Sequence, residues 1–109
     1  MAQARDCTDG DPPVGSQDGD GNAACEPSSS AYGFENLADR QWSAAFGSGN
    51  TALGESSSAF GRFNEATGTS SSAIGLGNIA LGDTSVAMGA YNTVESNQSV
   101  AVGWANRAD

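Results

Sequence analysis

Few residues in this chain could do chemistry. There is no histidine and no lysine, so a histidine-based catalytic triad and imidazole metal ligands are out of reach. Serine is plentiful, but it recurs at a fixed interval with no base to activate it, which reads as a structural column and not as a nucleophile. The stretch D-G-D-G-N, Asp18 to Asn22, echoes the start of a calcium loop. Ala23 stands where such a loop needs its sixth-position glycine, and Ser29 where it needs its twelfth-position glutamate, so a solvated acidic turn is the expectation. G-L-G-N, Gly75 to Asn78, is not a dinucleotide fingerprint, because its glycines belong to a repeat. Cys7 and Cys25 form an even pair. In an exported protein they permit one disulfide closing an N-terminal loop; two free thiols are the other reading. No catalytic residue, metal or cofactor is expected, and an enzyme is the least favoured class.

Composition narrows the partners. The net charge is −9 with only four cationic side chains, which leaves no electrostatic footprint for nucleic acid or an anionic membrane surface. No apolar run approaches the ~20 residues of a membrane-spanning helix, and no apolar segment of a signal peptide follows Met1-Ala-Gln-Ala-Arg. Much of the 38% hydrophobic fraction is alanine, and glycine accounts for 15 of 109 residues. Such side chains cannot fill a thick core and suit a thin structure with close backbones.

Two regions are expected. Residues 1–28 are rich in Asp, Gly and Pro and include Asp6, Asp9, Asp11, Asp18, Asp20 and Glu26; they read as an acidic leader or cap of turns without a core. Residues 29–109 read as a repeat of period fourteen. S-S-A-F-G-R-F-N, Ser57 to Asn64, returns as S-S-A-I-G-L-G-N, Ser71 to Asn78. Ser recurs at 29, 43, 57, 71, 85 and 99, Ala at 31 and every fourteenth residue to 101, Gly at 33 to 103, and Asn at 36 to 106. A looser small pair follows each Asn, such as Ala52 with Gly54 and Ala80 with Gly82. The register holds to the last residue, and the expectation is that the chain is truncated at its C-terminus.

Each unit holds two short segments of alternating small and variable residues, and alternation with period two argues strand. The fold class that follows is all-β, a parallel β-solenoid of about six coils, with like strands stacked ~4.8 Å apart. The small columns are expected in a thin lumen or its turns: Ala45, Gly47 and Asn50, then Ala59, Gly61 and Asn64, Ala73, Gly75 and Asn78, and Ala87, Gly89 and Asn92. Asn has two open readings, a side-chain ladder along the stack or a turn residue alone.

The residue between Ala and Gly drifts freely yet stays large and apolar: Tyr32, Phe46, Phe60, Ile74, Met88 and Val102, with Val86 and Val100 beside the last two. A continuous apolar stripe of this kind must be covered, and the economical cover is another copy of the chain in a cyclic oligomer, a trimer fitting well and a dimer also compatible with the pattern. The other strand faces outward with a mixture of Leu37, Asp39, Thr51, Leu53, Glu65, Thr67, Ile79, Leu81, Thr93 and Glu95. Leu53, Ile79, Leu81 and Trp104 are the candidates for a ligand surface, set against the ordinary occurrence of isolated surface apolar residues.

S-S-A-I-G-L-G-N-I-A-L-G, Ser71 to Gly82, with S-V-A-M-G at Ser85 to Gly89 and S-V-A-V-G at Ser99 to Gly103, resembles the head repeats of YadA-like trimeric autotransporter adhesins. The resemblance covers Ser29 to Asp109. It implies a homotrimeric, left-handed parallel β-roll on a Gram-negative surface, carried on a stalk and an outer-membrane anchor absent from this chain. It implies a head exposed to the exterior that binds host cells, extracellular matrix or other heads. Ser30, Ala44, Ser58 and Ser72 stand where the family often has Val, Arg40 replaces a second-strand glycine, and Val94 and Ser96 mark an irregular coil. Three other readings compete: a spacer without its own ligand, a phage or other trimeric fibre segment, and an ice-binding solenoid. The last needs a flat Thr array, which Asp39, Leu53, Thr67, Leu81 and Glu95 break.

Overall fold

In a computed structural model that describes Cys7 and residues 14–109, the chain is a parallel β-solenoid of about seven coils. Each coil contributes one five-residue and one two-residue strand. The long strands are β1 (Ser16–Asp20), β3 (Ser30–Phe34), β5 (Ala44–Ser48), β7 (Ser58–Arg62), β9 (Ser72–Leu76), β11 (Val86–Ala90) and β13 (Val100–Trp104). The short ones are β2 (Ala23–Ala24), β4 (Leu37–Ala38), β6 (Thr51–Ala52), β8 (Glu65–Ala66), β10 (Ile79–Ala80), β12 (Thr93–Val94) and β14 (Arg107–Ala108). Long strands pair only with long strands and short with short, giving two seven-stranded parallel sheets. Pairing is residue for residue at the repeat interval: Ala45 opposite Ala59, Phe46 opposite Phe60, Gly47 opposite Gly61.

The core is a single file of small side chains. Ala24, Ala31, Ala38 and every Ala at those two columns through Ala87 are fully buried, joined by Val94 and Ala101. The Asn column runs beside them as a ladder. Asn64 donates its backbone N–H to Asn50 Oδ1 at 3.1 Å, and its Nδ2 reaches the carbonyls of Phe60 and Gly75, both at 2.8 Å. The left-handed conformation falls on the residue before each Asn: Glu35, Gly49, Phe63, Gly77, Tyr91 and Ala105. Of the two readings of Asn, the structure therefore has the ladder. Serine closes the opposite turn, with Ser57 Oγ donating to the Gly54 carbonyl at 2.6 Å and Ser71 and Ser85 repeating the bond. Among the described residues, no buried side-chain nitrogen or oxygen lacks a partner, as a thin polar lumen requires.

Two expectations are corrected. The glycines of the long strands, Gly47, Gly61, Gly75 and Gly89, lie outside the lumen and are exposed. They are glycine because φ is near +120° there (118 to 123) and because a Cβ would come 2.0–2.1 Å from the carbonyl oxygen of the next glycine along the stack. Both conditions exclude an L side chain.

The second correction concerns the boundary at residue 28. The solenoid starts a coil earlier: β1 pairs with β3, Ser16 opposite Ser30 and Gly19 opposite Gly33, and Asn22, Ala23 and Ala24 are buried. Gly19, Asn22 and Ala24 keep the repeat columns while Gly15 and Gln17 replace its Ser and Ala. Gln17 closes the end of the alanine file by accepting the Ala24 N–H on its Oε1 at 2.8 Å. Asp6, Asp9 and Asp11 of the expected leader lie outside the described residues.

Candidate interaction surfaces

The long strands alternate, so Ala goes into the lumen and its two neighbours point to the opposite face of the sheet. That face carries Tyr32, Phe46, Phe60, Ile74, Met88 and Val102 one above another. Tyr32 and Phe46 meet edge to face at 5.2 Å between centroids, and Phe46 and Phe60 are stacked at 5.0 Å. Phe60, Ile74 and Val86 are half-buried by their own neighbours. Tyr32, Phe46 and Met88 remain more than a third exposed, and Val100 and Val102 are about 60% exposed (61% and 60%). The structure thus brings all eight stripe residues onto one face, six rungs long, with a single chain leaving it open.

It does not bring the four ligand-surface candidates together. Leu53, Ile79 and Leu81 lie on or beside β6 and β10 in the short-strand sheet, whereas Trp104 ends β13 in the long-strand sheet. Leu53 packs against a buried cluster of Cys7, Ala23, Cys25 and Leu37, while Leu81 is exposed and Ile79 half-buried. Between Leu53 and Leu81, Thr67 donates its hydroxyl to Glu65 at 3.1 Å, so the apolar spots are separated by polar ones.

Cys7 and Cys25 are joined by a disulfide. The bond pins Cys7 over the outer face of the short-strand sheet, where Ala23, Leu37 and Asp39 are buried although the matching residues of later coils are not. Sulfur atoms of both cysteines and a carboxylate oxygen of Asp39 lie within 4.8 Å of one another. With the sulfurs bonded to each other there are no thiolates to hold a metal ion. The Asp18–Asn22 stretch forms no ion loop either. Asp18 and Asp20 belong to β1, Asp18 Oδ1 accepts the Gly19 N–H at 2.9 Å, and Asn22 Nδ2 is turned into the ladder toward Gly33.

Sequence reasoning passed over the turns and the strand ends that lead into them. Phe34, Trp42, Phe63 and Tyr91 are all exposed there. The available signal was the alternation of Gly49, Phe63, Gly77 and Tyr91 at one column of the repeat.

A family model described as the YadA head domain repeat matches residues 43–64, 66–92 and 80–106. The matched segments cover more than half of the chain, and the chain belongs to that family of head repeats. No curated protein and no solved structure matches it.

Proposed function

We propose that this chain is a head segment of a trimeric autotransporter adhesin, attaching a Gram-negative bacterium to host cells or extracellular matrix. Three chains close around the Tyr32–Phe46–Phe60–Ile74–Met88–Val102 stripe, each wound left-handed as in the family, and the outward sheets face the ligand. The head works by binding, without catalysis or cofactor, on a bacterial cell surface.

The single observation that carries the reading is the open stripe. Six apolar rungs in register are a stripe that soluble monomers avoid exposing, and membership of the head-repeat family supports a trimer as the assembly that covers it. Light scattering on a gel-filtration column tests it first: three chains of 10.9 kDa give about 33 kDa, and a folded monomer sinks the reading. Binding of the oligomer to immobilised matrix proteins or to host cells tests the rest.

The mixed outward face favours a second reading, a spacer within a trimeric surface or phage fibre. Leu53, Ile79 and Leu81 are interrupted by Glu65 and Thr67, so that face has no continuous apolar patch. A spacer would be trimeric and bind nothing on its own.

A further inference from the structure

The two edges of the solenoid, where one strand turns into the next, differ in chemistry. The first edge follows the long strands and carries Phe34, Arg62, Phe63, Leu76, Tyr91 and Trp104. Phe63 and Tyr91 sit there in the left-handed conformation, φ 57° and 58°, an uncommon setting for an aromatic residue. Each ring lies against the glycine of the preceding coil: a Cβ on Gly49 or Gly77 would be within 2.8 Å of it. The Arg62 guanidinium sits 5.0 Å from the Phe63 ring centroid. The second edge is polar, with Gln41, Glu55, Thr69, Asp83 and Asn97. Among the described residues its one cation, Arg40, lies 3.7 Å from Asp39, and its large apolar residues are Trp42, 61% exposed, and Val14, 60% exposed at the start of the first coil.

A closed ring of parallel rods is heterologous, so the first edge of one chain meets the second edge of the next. Each coil advances ~4.8 Å, and residues seven or eight apart on opposite edges therefore differ in height by only about half of that. On that spacing Phe34 lies within about half a coil of Trp42 of the neighbouring chain, Arg62 of Glu55 on one side and Thr69 on the other, and Tyr91 of Thr84 and Gln98. Trp42, the aromatic of the polar edge, comes within reach of an exposed aromatic, and among the described residues the only cation of the apolar edge, Arg62, comes within reach of an exposed carboxylate. Among the described residues, neither Arg62 nor Glu55 makes an ion pair within its own chain. Asp83, another acid of that edge, is engaged, accepting the Thr69 N–H at 2.9 Å.

We propose that the two edges form the subunit boundary, the Phe34–Arg62–Tyr91 edge of one chain packing against the Trp42–Glu55–Gln98 edge of the next copy, with Arg62 paired to Glu55 and Phe34 against Trp42. The pairing rests on the trimeric reading above and adds to it the partner surface and its direction. It also explains why the apolar residues crowd one edge: a heterologous contact needs two unlike faces, whereas a two-fold dimer would bring like faces together.

Paired cysteines test it. R62C and E55C are placed in one chain with the native disulfide intact and treated with a short bis-maleimide. The expected product is a covalent trimer on a denaturing gel, three times the 10.9 kDa chain, with R62C or E55C alone leaving single chains. F34C with W42C repeats the test at another rung, and circular dichroism matching the parent certifies that each variant is folded. A 33 kDa particle in solution that cross-links at neither pair overturns the proposal while leaving the trimer standing. Covalent dimers from R62C alone mean first edge against first edge and also overturn it. A monomer in solution removes both the proposal and the trimeric reading.

Discussion

Phe46 and Phe60 stack with centroids 5.0 Å apart and planes within 10° of parallel, on strands paired residue for residue. Neighbouring parallel strands lie about 4.8 Å apart, so the ring spacing is that of the backbone: the rings rest where the register puts them. Offset aromatic pairs of this kind contribute about 0.5–1.5 kcal/mol beyond the area they bury. A double-mutant cycle of Phe46→Leu and Phe60→Leu, read by urea unfolding, is expected to give a coupling energy in that range. Strict additivity would mean that the stack is only a by-product of strand pairing.

The long-strand glycines and the turn glycines are expected to respond differently to alanine. At Gly61 a Cβ would sit 2.1 Å from the Gly75 carbonyl oxygen with φ at +121°, and backbone cannot move aside. Gly61→Ala should cost at least about 1–3 kcal/mol of strain, with overpacking adding a comparable amount. At Gly49, φ is +68° and the obstruction is the Phe63 ring, which can swing outward. Gly49→Ala should cost only about 1–2 kcal/mol. Equal losses in chemical denaturation would show that the carbonyl contact is relaxed by a shift between coils.

The parts of the fold legible in the sequence are those where one column does one task. Ala59 fills the file and Ser57 closes the turn, so both columns repeat without exception from Ser29 and Ala31 onward and the period shows. The long-strand glycines were assigned to the wrong side because strict alternation was assumed, and a residue with φ near +120° breaks it. The first coil was hidden because Gly15 and Gln17 replace the two most recognisable letters, and Gln17 does so for a reason, to cap the open end of the file. The edge surface was hidden because its aromatics alternate with glycine and so recur at twice the period. The apolar stripe was visible as composition, and the single chain leaves it open.

The asparagine ladder should fail locally and at measurable cost. Asn64→Ala would leave the carbonyls of Phe60 and Gly75 and the N–H of Asn78 without the partners they now have. A buried polar group left unsatisfied costs about 1–3 kcal/mol, so the loss is expected to exceed that of Asn106→Ala, whose exposed side chain donates to the Val102 carbonyl. Comparable losses at both sites would argue that water replaces the ladder bonds.

The disulfide is expected to hold the first coil and not the whole rod. Cys7 and Cys25 are separated by 18 residues, a loop for which chain-entropy arguments give about 3 kcal/mol. The contacts it secures are local: Cys7 and Cys25 pack with Ala23 and Leu37, and Leu53 leans on that cluster. Because each coil of a solenoid touches only its neighbours, stability is close to a sum of coil and interface terms. In the Cys7→Ser, Cys25→Ser variant, the Ala23 and Ala24 amides, now bonded to the Asn36 carbonyl and Gln17 Oε1, should exchange with solvent much faster. The Ile79 amide, bonded to the Asn92 carbonyl four coils away, should be unchanged. Uniform acceleration at Ala23 and Ile79 together would mean that the rod unfolds as one cooperative unit and that the first coil is its nucleus; no acceleration at either would mean that Gln17 and the backbone ladder hold the end without the covalent link.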